Sequence, residues 1–125
     1  MEIIYTQDSV EGEPGPNLYW RGPREEYLRL LCDLHSLGVE AGTAVRLERL
    51  DYIKLIGLRS YEATNSADFD CVAQVVDGVA SSRLSAVRWQ QFLHNVLSLT
   101  FGAGFVFQEF AGIEAPTNVI MSSIA

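Results

Sequence analysis

The stretch Phe101–Phe107, FGAGFVF, decides between two folds. Glycines spaced this closely wrap a phosphate when they follow a strand and open a helix, because the first helical N–H groups then face the anion. When they follow a helix and open a strand, they are a stop and a turn. The upstream residues settle the polarity. Ser85 stands at an N-cap position, and Trp89, Phe92, Leu93, Val96, Leu97 and Phe101 recur at helical spacing. Arg88, Gln91, Asn95 and Ser98 fall mainly on the other side. Gly102 is then expected in the left-handed conformation that ends a helix, and FVFQEF downstream reads as a strand. A helix C-terminus presents carbonyls, which repel phosphate, and Phe107 stands where a third glycine would be needed. A dinucleotide fold is excluded.

Working outward, GPREEYLRLLCDLHSLG is a second amphipathic helix. Gly22 is expected at the N-cap and Pro23 at the first helical position, where its missing N–H costs nothing. Glu25 and Glu26 then complement the positive end of the helix dipole. Tyr27, Leu30, Leu31, Leu34 and Leu37 form the apolar stripe, with Leu31 and Val96 expected to face the sheet. Gly38 supplies the stop.

The rest alternates as strands do. Val45 and Leu47 oppose Arg46 and Glu48, and Phe69, Cys71, Ala73 and Val75 make one apolar face. Further strands are expected at Ile3–Thr6, Asn17–Arg21, Ile53–Glu62, Val79–Leu84 and Asn118–Ser122. Asp77-Gly78 between strand-like runs predicts a tight hairpin. Gln7–Pro16 is an acidic loop rich in Gly and Pro, expected to be exposed and mobile. The order reads as ββαββ twice. Sliding the chain along itself sets Arg21 on Arg83, Leu31 on Leu93, Ser36 on Ser98, Leu37 on Leu99, and Ala41-Gly42 on Ala103-Gly104. The expected fold is a single α+β domain over residues 1–125: an antiparallel sheet with two amphipathic helices packed on it, with or without a ββαββ pseudo-repeat.

With 125 residues, 48% of them hydrophobic and 20% charged, the chain buries a core without covalent staples. No apolar run reaches the roughly 20 residues of a membrane helix. The opening MEIIYT has no basic n-region, which argues against a secretory signal and for a cytoplasmic location. The net charge of -7 disfavours nucleic acid and anionic membranes, and suits a basic protein partner as well as simple solubility. Cys32 and Cys71 sit in no metal-binding array and read as free, mostly buried thiols of a reducing compartment.

Each cluster of reactive residues is better explained without chemistry. Cys32 and His35 lie one helical turn apart, but nothing orients the imidazole and no oxyanion-binding loop follows. His94 has no partner at ligand spacing and belongs on a solvent face. Asp68 and Asp70 share a strand face, yet two carboxylates are too few for a hard cation. Glu109 is a lone acid among aromatics, and Tyr19, Trp20, Phe105 and Phe107 are expected in the core. No catalytic residue, cofactor or metal is therefore assigned. The acids Asp8, Glu11, Glu13, Asp68 and Asp70 are the candidate partner-binding residues.

LYWRGPREEYLRLLCDLHSLG, followed by strands and then WQQFLHNVLSLTFGAGFVFQEF, resembles the small acidic immunity proteins of bacterial toxin systems. The resemblance lies in element order and composition, with no diagnostic motif. It implies a cytosolic α+β protein that neutralises a toxin by occluding it. Beside this protein-binding reading stand a small-molecule-binding domain or enzyme, and a structural subunit of a homo-oligomer.

Overall fold

The computed structural model describes residues 1–67, 71–101, 105–108 and 117–124, and for residues 71, 72 and 105–108 the backbone alone. Nine strands and two α-helices are described among these residues: β1 (Glu2–Thr6), β2 (Asn17–Pro23), α1 (Arg24–Leu34), β3 (Ala44–Arg46), β4 (Lys54–Ile56), β5 (Ser60–Asn65), β6 (Cys71–Val76), β7 (Val79–Leu84), α2 (Ala86–Leu99), β8 (Phe105–Gln108) and β9 (Asn118–Ile124). Helix followed by strand is thus the polarity around Phe101–Phe107. Gly102–Gly104 lie outside the described residues, and with them the expected backbone of Gly102.

The α+β class holds, but the strands form two sheets and both are mixed. The first runs β4-β1-β2-β9-β8 and the second β3-β5-β7-β6. The antiparallel pairs are β1 with β2, β6 with β7, β8 with β9, and β3 with β5. The parallel pairs are β1 with β4, β2 with β9, and β5 with β7. A strand that leaves into a helix has no tight hairpin partner after it, so its second neighbour must arrive by a longer connection. The vacant flank of β2 is filled by β9 from the far end of the chain, and that of β7 by β5. The expected antiparallel sheet is corrected on this point.

Local signals explain most element ends. Asp77 and Gly78 both have positive φ, 51° and 77°, the backbone of a tight hairpin turn. The run expected as one strand from Ile53 to Glu62 is broken at Gly57. Its φ is +78°, and a Cβ there would meet the Tyr5 carbonyl oxygen at 2.9 Å. Only glycine fits. The strand through Val45 stops early, because Leu47–Arg49 form a 3-10 turn that buries Leu47 completely. Helix α1 starts one residue later than expected: Pro23 is still extended, ends β2 opposite Ile124, and serves as the N-cap. The chain then tightens into a 3-10 turn over His35–Gly38.

The core forms where both sheets meet the helices. Trp20 of the first sheet lies edge-on to Tyr61 of the second and to Phe92 of α2, each at 5.6 Å between ring centroids. Trp89 meets Phe92 at 5.3 Å. Helix α1 buries Tyr27, Leu30 and Leu34, while Leu31 is only half-buried at the core's edge. Helix α2 buries Trp89, Phe92, Val96 and Leu99. Leu97 and Phe101 are exposed, at 37% and 80%. The buried stripe on α2 therefore continues through Leu99, and the expectation for those two residues is corrected. No described helix is long and apolar enough to cross a membrane.

Candidate protein-docking face

Strand β2 turns Leu18 and Trp20 inward, so Tyr19 and Arg21 point away from the core. Register carries this outer face across the first sheet. Ile56 pairs with Ile4, Ile4 with Tyr19, and Tyr19 with Ile120. Cross-strand partners share a face. The result is an apolar row, half-buried at Ile56, Ile4 and Tyr19 and closed off at Ile120. Tyr19, expected in the core, belongs to this row, and its hydroxyl hydrogen-bonds the Ser122 hydroxyl at 2.7 Å. The corresponding row of the second sheet runs Arg46, Glu62, Ser81, Gln74. Every member is polar, and Arg46 pairs with Glu62 at 3.6 Å.

Beyond one side of the apolar row lie Lys54, Glu2 and Arg21, with Arg21 and Glu2 paired at 3.8 Å. On the other side, Asn17 and Asn118 bind the acidic loop. Asn17 Nδ2 donates to the carbonyls of Asp8 and Glu13 at 2.9 and 3.0 Å, and Asn118 Nδ2 donates to the Pro14 carbonyl at 3.1 Å. Within the loop, Val10 and Glu13 exchange two backbone hydrogen bonds of 2.9 Å around Glu11 and Gly12, which have φ of 50° and 82°. The loop is thus a folded turn tied to the outer face by these bonds. Asp8 and Glu11 are exposed and Glu13 is half-buried. The Asn17 carboxamide oxygen is buried beneath with no hydrogen-bond partner among the described residues.

Asp68, Asp70 and Glu109 lie outside the described residues, as do the side chains of Phe105 and Phe107. The structure therefore brings together three of the five candidate acids. Cys32, expected to be mostly buried, is instead exposed, as is His35, with no hydrogen bond between them among the described residues; the side chain of Cys71 lies outside what is described. His94 is exposed on α2. No group of three or more His, Cys, Asp or Glu gathers among the described residues.

The perturbed ionisable groups support architecture. Burial pushes the Tyr27 hydroxyl well above the usual tyrosine range; its one proton is shared between the carbonyls of Ser122 at 2.7 Å and Trp20 at 3.0 Å. Burial, then a 2.7 Å hydrogen bond to Asp33, does the same to Tyr52. Arg29 stacks on that ring 4.2 Å from its centroid and pairs with Asp51 at 2.7 Å, fastening α1 to the turn before β4. The Met1 amino group binds the Glu26 carboxylate and the Tyr52 carbonyl at the same junction. Burial works to raise the Glu48 carboxyl, but the Tyr61 N–H and the Arg46 guanidinium outweigh it, and the net shift is downward.

Reading the sequence for acids and motifs overlooks the apolar row, although a signal for it is present. IIY in β1, LYW in β2 and VIM in β9 are unbroken apolar runs, whereas YEAT in β5 and ASSRL in β7 interleave polar residues. A strand that is apolar on both sides has something to cover on both sides. No protein-family model, curated protein or solved structure matches the chain.

Proposed function

We propose that this chain is a protein-binding module of the immunity type, built from two interlocked ββαββ units, that occludes its partner through the outer face of the first sheet. The observation that carries the reading is the contrast between the two outer rows. In the proposed pseudo-symmetry β1, β2, α1, β3 and β5 correspond to β6, β7, α2, β8 and β9. The order β1-β2-β9-β8 then maps onto β6-β7-β5-β3, with parallel and antiparallel pairs in the same places. A buried anchor repeats as well. Tyr27, fourth in α1, reaches the carbonyl of Ser122, fifth in β9, and Trp89, fourth in α2, reaches that of Thr64, fifth in β5, at 2.8 Å. Ile4, Tyr19 and Ile120 therefore occupy the places that Gln74, Ser81 and Glu62 hold in the other half.

Equivalent positions on one protein make a natural comparison. The polar row is what a solvated face looks like here, and the apolar row departs from it where a partner would cover it. The test is capture by crosslinking with three forms of the full chain: wild type, Ile4→Lys, and Gln74→Lys. A partner held by wild type and Gln74→Lys but lost by Ile4→Lys is expected. The captured protein, expressed alone, should arrest growth, and co-expression of the wild-type chain should restore it. Retention by Ile4→Lys refutes the docking face, and a harmless partner refutes the immunity role.

A further inference from the structure

We infer that the partner docking on the first sheet is a basic protein, which seats an apolar side chain on Ile4, Tyr19 and Ile56 and places its cationic groups against the loop carrying Asp8 and Glu11. The inference rests on the docking face proposed above and adds the chemistry of its occupant. It follows from where the loop is tied. Asn17 and Tyr19 are successive outward residues of β2, about 7 Å apart along the strand. Because Asn17 holds the carbonyls of Asp8 and Glu13, the loop forms the immediate rim of the apolar row. No Lys or Arg occurs between Met1 and Arg21, so the rim carries three acids and no base.

Five of the other nine described acids form ion pairs, Glu26 with the Met1 amino group among them, while Glu25, Asp33, Glu40 and Asp77 form none among the described residues. Glu2 pairs with Arg21, Asp51 with Arg29, and Glu48 and Glu62 with Arg46. Among the described residues Asp8, Glu11 and Glu13 form no ion pair, and the unpaired Asn17 oxygen adds a further acceptor beneath them. The far side of the row holds Lys54 beside the Glu2–Arg21 pair, so the face is polarised: negative at the loop and weakly positive at the opposite margin. A partner of matching polarity is attracted and oriented, while an acidic one is repelled at the rim.

The test uses the full chain, labelled with ¹⁵N, and two synthetic probes: a strand-length peptide alternating leucine and lysine, and its counterpart alternating leucine and glutamate. The lysine peptide is expected to shift the amides of Ile4, Tyr19, Asp8 and Glu11 saturably. Its affinity should fall about tenfold or more between roughly 0.05 and 0.5 M salt, where the screening length contracts to several ångströms. Asp8→Asn with Glu11→Gln should weaken it several-fold, since neither side chain supports the loop's backbone bonds. Equal binding of the glutamate peptide on the same amides overturns the basic partner and leaves the docking face standing. Shifts centred on Glu62 and Gln74, or no binding of either peptide at millimolar concentration, overturn both. Self-association in sedimentation, with the Ile4 and Tyr19 amides protected, assigns the face to a second copy and also overturns the basic partner.

Discussion

Replacing Tyr27 by Phe removes one hydroxyl and, with it, the shared hydrogen bond that joins three elements. The hydroxyl on α1 shares its one proton between the carbonyls of Ser122 in β9, at 2.7 Å, and Trp20 in β2, at 3.0 Å. Those strands come from opposite ends of the chain and are paired in parallel. One buried bond, shared between two acceptors, contributes about 0.5–1.5 kcal/mol net, so Tyr27→Phe should cost about that much, with little cavity to add. At a urea slope of about 1–3 kcal/mol/M, the midpoint should drop by roughly 0.5 M with the slope unchanged. The pH dependence supplies an independent reading. The folded hydroxyl ionises above the ordinary tyrosine value, so the unfolded chain releases its proton first as pH rises. Tyr27 therefore contributes its full stabilisation below about pH 10 and loses it progressively above. In Tyr27→Phe that part of the alkaline loss should vanish. A cost below about 0.5 kcal/mol, together with an unaltered alkaline limb, would falsify the assignment of Tyr27 as the tie between the sheet and α1.

Gly57→Ala should destabilise by more than about 1 kcal/mol in thermal melts, since it combines a positive φ with a contact to the Tyr5 carbonyl at 2.9 Å. A neutral result would mean that β4 and β5 do not need the break. On α1, Leu30→Ala should cost about 2–5 kcal/mol, as fully buried leucines do, and Leu31→Ala less than half as much, because Leu31 only edges the core. Chemical denaturation of the pair reports the helix's rotation directly, and a reversed order would refute it.

Much of the fold is legible locally because local physics decides it. Asp77-Gly78 specifies its turn, and both helices follow their stripes to within a few residues. The errors arise where a distant element chooses. Nothing near Asn17–Pro23 announces that β9 will lie beside it in parallel, and that choice separates two mixed sheets from one antiparallel sheet. Leu97 and Leu99 are equally apolar, and only the packing against the sheets and α1 selects Leu99 for burial. The candidate site divides in the same way. The acids of Gln7–Pro16 can be read from composition, but their position cannot, because it depends on Asn17 reaching back to the Asp8 and Glu13 carbonyls. Asn17 draws no attention as a polar residue at a strand entrance until its carboxamide is seen to turn the loop onto the outer face.

The sharpest trial of that face uses two adjacent isoleucines. Ile3 and Ile4 are neighbours on β1 with opposite outlooks: Ile3 is completely buried in the core cluster, and Ile4 is half-buried in the outer row. Lysine at Ile3 must bring an ammonium into apolar surroundings with no partner, a cost of several kcal/mol that about equals the whole stability of a domain this size. Lysine at Ile4 can lay its methylenes along Tyr19 and Ile56 and keep its charge in water, so its cost should stay below about 1 kcal/mol. Glu2 on the same face, two residues away, offers the new charge an anion. Urea unfolding of both variants, followed by tryptophan emission from Trp20 and Trp89, measures the difference. A folded Ile4→Lys protein beside an unfolded Ile3→Lys protein establishes that the row is open to solvent and free for a partner. If Ile4→Lys unfolds the chain as Ile3→Lys does, the outer face is sealed within the molecule, and the contrast between the two sheets says nothing about binding.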